Sequence, residues 1–332
     1  MDPRGPDRGE VMRGAAIRAA GAWGLFPACI RDDLAISGSP ERSAFRCVVQ
    51  GPGERLAVLE NIREKDLGRK EDITRRLDFL SSRGLPGIHP CIPSLDGGHV
   101  VLKDGRYWQA SPYIPGTALE RPGYAFDEWR GEAMGEFLVK LGESSRNLPE
   151  GLATRPFSIL DYVRTLLEQI RIREPGLFHR LAPVAAFLSD RLVPVHGLLP
   201  LAFCHGDFHP LNVIWAEDAL AGVIDWEFSG TKPENYDAAL LIGCLGMEDP
   251  DALAGPFVAG FIRTLKAGRA LSRPGWEALS GMVVAIRFAW LAEWLRTRDK
   301  EMIELEAVYL SLLKDRAGDL AAGGRGGDPL RV

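Results

Sequence analysis

CHGDFHPLNVIWAEDALAGVIDWE, residues 204–227, decides how the rest of the chain is read. Asp207 stands five residues before Asn212, and a second carboxylate, Asp225, closes the apolar run that follows. Phosphoryl transfer uses such a set: one carboxylate to orient an attacking hydroxyl and take its proton, and two oxygen ligands for magnesium. Residues 212–215 and 222–225 are short apolar strands around a connection at 216–221, which predicts a hairpin. With Asn212 opposite Asp225, their Cβ atoms would lie about 5 Å apart, close enough to share one cation. Asp207 falls in the loop that enters the hairpin.

The same residues admit another chemistry. His205, Asp207 and His209 alternate, and on a strand all three would face one way, as a metal-dependent hydrolase site requires. Gly206 and Pro210 favour a loop over a strand. The remaining histidines, His89, His99, His179 and His196, form no ligand-spaced group.

The stretch resembles the aminoglycoside phosphotransferase and choline kinase superfamily, whose catalytic loop reads H-G-D-x-x-x-x-N followed by a short I-D-W/F/x-E segment. His205-Gly206-Asp207, Asn212 and Ile224-Asp225-Trp226-Glu227 match it position for position. The spacing also equals that of the protein-kinase catalytic loop. The resemblance implies an α+β, two-lobed protein-kinase-like fold, with a small N-terminal antiparallel sheet plus helix and a larger, mainly helical C-terminal lobe. It implies ATP or GTP as co-substrate with Mg²⁺, and transfer of the γ-phosphoryl group to a small hydroxyl acceptor: an amino-alcohol, a sugar or an aminoglycoside-like compound. By the same resemblance Asp207 is the catalytic base, His205 braces its loop, and Asn212 and Asp225 hold the metal. Asp237 resembles a family aspartate that caps the following helix and braces the catalytic loop. A nucleotide binder without turnover is the remaining reading.

At 332 residues the chain is long enough for two domains. Its formal charge of −5 leaves no basic footprint for nucleic acid, so any phosphate-binding charge must be local. Five scattered cysteines without a C-x-x-C pair read as reduced thiols, which places the chain in the cytoplasm. No run approaches eighteen apolar residues, and no membrane partner is expected. A monomer or homodimer is expected.

Ahead of the motif, residues 1–13 are charged and read as mobile, with a helix over 15–22. Strands are expected at 34–37, 44–50 and 55–62, the first two joined by the small-residue turn SGSPERS at 37–43. In the resembled family such a turn covers phosphate, which nominates Ser37, Gly38 and Ser39. A helix follows at 71–83, with Ile73, Leu77 and Leu80 on one face. Residues 100–102 and 107–113 flank an Asp-Gly turn. The resemblance makes 111–113 the hinge, with the backbone of Ser111 and Tyr113 against the adenine. The lobes are thus expected at residues 1–114 and 115–316, with a disordered tail at 317–332. Helices are expected at 128–141, 159–173, 181–192, 237–245, 252–265, 276–298 and 302–314.

The third strand departs from the family pattern. Alternation puts Leu56, Val58, Glu60 and Ile62 on one face, and Glu60 stands where the family carries a phosphate-holding lysine. An inward carboxylate needs a partner. The reading is a swapped ion pair with Arg76 or Arg75 on the next helix, the arginine supplying the phosphate contact. Failing that register, Arg42, Arg46 or Arg63 would serve.

On the acceptor side, Arg287, Trp290 and Trp294 share a helical face with Glu293 at its edge. Two indoles and a carboxylate suit a cationic acceptor, while a stripe at that spacing also suits a core. Glu227 is read either as orienting magnesium-bound water or as bonding nearby backbone.

Overall fold

The computed structural model describes residues 8–36 and 43–318. Ser37, Gly38 and Ser39 lie outside the described residues, as do 1–7 and 319–332. The chain divides into two compact units: residues 1–118 with 211–227, and residues 119–210 with 228–332.

The first unit is built on a five-stranded antiparallel sheet. Helix α1 (Arg8–Ala20) precedes strands β1 (Cys29–Ile30), β2 (Phe45–Gln50) and β3 (Leu56–Ile62); helix α2 (Leu67–Ser82) leads to the hairpin β4 (Val100–Lys103) and β5 (Arg106–Pro112). The strand order is β1-β2-β3-β5-β4. Period-two alternation gives β3 two distinct faces. Ala57 and Leu59 enter a core with Cys47, Val49, Trp108 and Ala110, against Ala15, Ala16, Ala19 and Ala20 of α1. Four small side chains let the helix lie close on the sheet. Val58 and Glu60 face the other way, into a cavity.

Three expectations for this unit are corrected. Residues 8–13, read as mobile, form the first turns of α1. The strand expected at 34–37 is absent from 34–36; the edge strand lies upstream at β1, where Cys29 pairs with Gln50. The helix expected from residue 71 begins a full turn earlier, at Leu67. Asp66 stands at the N-cap position, where its side chain makes no cap bond.

A ribbon of β7 (Val213–Trp215) and β8 (Leu220–Val223) also belongs to this unit. Thr117 N–H donates to the Trp215 carbonyl (2.8 Å), Val223 N–H donates to the Gly87 carbonyl (2.9 Å), and His89 Nε2 bonds the Ala221 carbonyl (2.8 Å).

The second unit is helical around one short ribbon. Its elements are α3 (Glu128–Ser144), α4 (Ile159–Arg173), α5 (Pro175–Arg191), α6 (Val193–His196), β6 (Leu201–Cys204), β9 (Gly230–Pro233), α7 (Tyr236–Glu248), α8 (Pro256–Ala267), α9 (Arg273–Thr297) and α10 (Lys300–Asp315). Strands β6 and β9 pair antiparallel, Cys204 opposite Gly230. Helix α9 is long and apolar enough to cross a membrane by length and composition, but 67% of its most apolar stretch is buried. Its neighbours are α7, α10 and α4. Of the tail expected from 317, Ala317 is buried.

Candidate active site

The loop after β6 carries His205, Gly206 and Asp207, and the second unit holds it from three sides. Cys204 is paired with Gly230, which fixes where the loop leaves the ribbon. The Asp237 carboxylate accepts from the backbone N–H of His205 (2.6 Å) and of Gly206 (2.8 Å). The fully buried His205 ring packs near Phe208, which itself stacks on Phe137 of α3. Asp207 N–H donates to His205 Nδ1 at 3.2 Å, which leaves the ring proton on Nε2. His205 thereby braces the loop. Asp237 is no N-cap, a correction: it is the second residue of α7, and Asn235 precedes that helix without a side-chain cap bond. Burial raises the Asp237 carboxyl to about 6, against the two N–H donors and Lys232.

His209 Nε2 lies 3.6 Å from Asp207 Oδ1. The hydrolase alternative fails on geometry. Among the described residues no group of three His, Cys, Asp or Glu side chains is placed to hold a metal ion.

Asn212 and Asp225 stand at the open end of the other ribbon, in the first unit. The expected register is off by one. Val213 pairs with Val223, and Ile224 N–H donates to the Asn212 carbonyl at 3.0 Å, so Asn212 stands opposite Ile224. A bulge at Ile214/Trp215 reshapes the pairing, which residue spacing does not reveal. Asp225, one residue beyond, adopts φ +69°, a left-handed conformation uncommon for a side-chain-bearing residue. Its carboxylate lines the cavity beside β3. An amide oxygen and a carboxylate on one ribbon end are a hard-oxygen set that fits a divalent cation with phosphate oxygens and water completing the shell.

The same cavity is lined by Val58, Ser111, Tyr113, Ile214 and Val223, an apolar slot at the end of β5. Glu60, as the alternation requires, faces its polar end. Its partner is corrected too. Lys70 of α2 pairs with Glu60 at 2.9 Å and with Glu227 at 2.7 Å, and Arg69 reaches Glu227 at 2.6 Å. Arg75 is bound to Asp72 on its own helix, and the basic residues lining the cavity are Arg46 and Lys70, not Arg76. Burial by itself would lower the Lys70 pKa; Glu60 and Glu227 outweigh it, and the ammonium titrates above its ordinary value. Lys70 was legible. It lies three residues before Ile73 and seven before Leu77, on their face, once the helix is extended by one turn. Glu227 is the ion-pair partner of Lys70 and Arg69 here.

Of the residues proposed to face the acceptor, Arg287 is corrected. Arg287 is buried and bidentate to Glu306 of α10, Nε to Oε1 at 2.7 Å and Nη2 to Oε2 at 2.6 Å, with the Trp290 ring 4.4 Å from its guanidinium. Arg287 and Glu306 belong to the interior of the helical unit, and Trp290 is half-buried. Glu293 is exposed and held by Arg296 at 2.8 Å, and Trp294 is half-buried. A separate cavity in this unit lies among α4, α5, the end of α9 and the start of α10, lined by Phe157, Tyr162, Gln169, Arg173, Arg298 and Glu304. Tyr236 links its Phe157 end to the loop: its ring meets Phe157 edge-on, and after burial and its neighbours Asp237 and Cys204, the Asp207 charge raises its hydroxyl pKa further.

A sheet with its crossing helix, a ribbon end bearing amide and carboxylate, and a braced His-Gly-Asp loop define a phosphotransferase of the protein-kinase-like fold. The chain belongs to the phosphotransferase enzyme family, whose model matches residues 40–281, within the aminoglycoside phosphotransferase and choline kinase superfamily. A homoserine kinase of Granulibacter bethesdensis is 27% identical over 240 residues, 68% of this chain and 70% of that protein. The microcompartment-associated aminopropanol kinase superposes with a TM-score of 0.66 at 17% identity, over 93% of this chain and 98% of its own. An amicoumacin kinase solved with AMP-PNP, Ca²⁺ and its antibiotic superposes with 0.63 at 13% identity, over 93% and 94%. At these identities the structural likenesses establish the fold. The chain is a small-molecule kinase, a phosphotransferase with an alcohol group as acceptor.

Proposed function

We propose that the acceptor is a small amino alcohol of the homoserine class, phosphorylated on its hydroxyl with Mg²⁺-ATP. The observation that carries this is the homoserine kinase relative, which matches across more than two thirds of both chains. The helical unit's cavity supports it: Arg173 and Arg298 offer cations for a carboxylate, on a lining that also carries the Arg180–Glu304 ion pair. A sugar would ask instead for neutral hydrogen-bonding groups.

In this reading Asp207 accepts the proton of the acceptor hydroxyl as its oxygen attacks the γ-phosphorus, and the bond to the β–γ bridging oxygen breaks to release ADP. Asn212 and Asp225 would hold a divalent ion, whose charge would offset that of the phosphates. The backbone near Ser111 and Tyr113 takes the adenine. His205 and Asp237 keep Asp207 still, and catalysis is mainly positioning. The first unit serves as nucleotide-covering lobe and the second as catalytic and acceptor lobe. The protein works in the cytoplasm as a monomer or homodimer, without nucleic-acid or membrane partners.

An ADP-coupled assay across homoserine, aminopropanol, choline, a hexose and an aminoglycoside tests the acceptor. Highest kcat/KM on homoserine or aminopropanol is expected. Preference for the hexose or the aminoglycoside would refute it. Asp207→Asn should abolish turnover and leave ATP binding intact.

A further inference from the structure

We propose that the phosphate-binding cation of this kinase is Lys70, supplied by helix α2, with Glu60 on strand β3 as its counter-charge: an ion pair whose two members have exchanged elements relative to the family pattern. This deepens the reading above and rests on it, since it takes the cavity at Asp225 to be the nucleotide site.

Four observations carry it. Strand alternation places Glu60, not a cation, on the cavity face of β3. Lys70 Nζ is held between two carboxylates on different elements, 2.9 Å from Glu60 and 2.7 Å from Glu227. Glu227, one of the two carboxylates that hold the ammonium, is two residues after Asp225. Lys70, Asp225, Glu60 and Glu227 all line that cavity.

The charge balance tolerates an anion there. Glu60 and Glu227 are offset by Lys70 and Arg69, so the ion-pair cluster is close to neutral and does not repel a triphosphate. An ammonium has three N–H donors in a rotatable head, and the two carboxylates fix its position while leaving it able to share a phosphate oxygen. A lysine on β3 held by a glutamate on the helix would present the same head to the same space. What chemistry requires is an ammonium at that point, and either element can deliver it.

The rival is that Lys70 only neutralises Glu60, while Arg46, directly across from Glu60 on β2 and also on the cavity lining, meets the phosphates. Lys70→Met alone does not separate the two, because it leaves Glu60 facing Glu227 and repels nucleotide in either case. The double variant K70M/E60Q removes the pair without leaving that charge behind. Binding of Mg-ATP and of adenosine to the full chain is measured by calorimetry for wild type, E60Q and K70M/E60Q, with melting curves to certify folding. The expected result is an affinity for Mg-ATP about ten- to a hundredfold weaker in K70M/E60Q, the worth of one charge-assisted bond, with adenosine affinity within about twofold of wild type. E60Q alone should bind Mg-ATP at least as tightly as wild type. Near wild-type Mg-ATP affinity in a folded K70M/E60Q overturns the proposal and passes the role to Arg46. Wild type that binds no Mg-ATP would sink the kinase reading itself, and this one with it.

Discussion

Gly206→Ala is the smallest change that should separate chemistry from binding. Gly206 has φ +84°, and a Cβ built on it lies 2.2 Å from the Phe228 carbonyl oxygen and 3.0 Å from Lys232 Nζ. An ordinary carbon–oxygen contact is about 3.3 Å, so loop or carbonyl must retreat by about 1 Å. The Phe228 carbonyl has little freedom, because Lys232 Nζ donates to it at 2.5 Å and Gly230 is paired to Cys204. The loop moves instead, and Asp207 is the next residue. Left-handed backbone costs an alanine about 1–2 kcal/mol, and overpacking typically adds about 1–3. Misplacing a catalytic group by about 1 Å lowers turnover on the order of a hundredfold. The assay is kcat by ADP release, with Mg-ATP affinity and thermal melting on the same preparation. A loss in kcat with ATP affinity held is expected, since Asn212, Asp225 and the cavity belong to the other unit. A folded G206A with wild-type kcat would refute both the loop geometry and the role given to Asp207.

Three further outcomes follow from the packing. Arg287→Met should destabilise by about 3–5 kcal/mol in urea unfolding, because Glu306 is left buried and charged, and R287M/E306L should recover most of that loss. Gly131→Ala should cost about 1–3 kcal/mol, read as a lower melting temperature, since its Cβ would meet the Phe257 carbonyl at 2.0 Å where α3 packs on α8. Asp237 has a folded pKa of about 6 against 3.8 unfolded, so the folded state holds that proton more tightly. Its stabilising effect is fully present below pH 3.8 and lost as pH rises through 6: wild type should lose up to about 3 kcal/mol relative to D237N across that window, and parallel stability–pH curves would contradict it.

How much of this was legible depended on whether the signal was local. The His205–Glu227 motif, the β4–β5 turn and helix α4 were read with their bounds nearly right, because each is written in neighbouring residues. The Glu60 face followed from alternation alone. What failed needed the third dimension. The ribbon register slipped by one because a bulge and the left-handed Asp225 leave no mark in composition. Arg287 shared a helical face with two tryptophans and looked ligand-facing; its partner Glu306 lies nineteen residues on, in the next helix. Asp237 sat where a capping residue would, yet its carboxylate serves a loop about thirty residues upstream. The missed Lys70 differs in kind, since the helix face already pointed to it and only the omitted first turn hid it.

That miss bears on how the fold tolerates Glu60 at all. A carboxylate alone on the cavity face of β3 would be driven toward protonation or would force the strand to reregister, and a one-residue slip would turn Ala57 and Leu59 out of the core under α1. The strand therefore has no freedom to hide Glu60, and the compensation must come from another element. Helix α2 provides it at the one end its apolar face does not occupy: Ile73, Leu77 and Leu80 anchor the helix while Lys70 and Arg69, a turn earlier, project their charge to Glu60 and Glu227. The charged cluster is thus set by the same packing that fixes the sheet. Removing either cation singly leaves excess negative charge beside Asp225, whereas removing a carboxylate leaves excess positive charge there, which a phosphate tolerates.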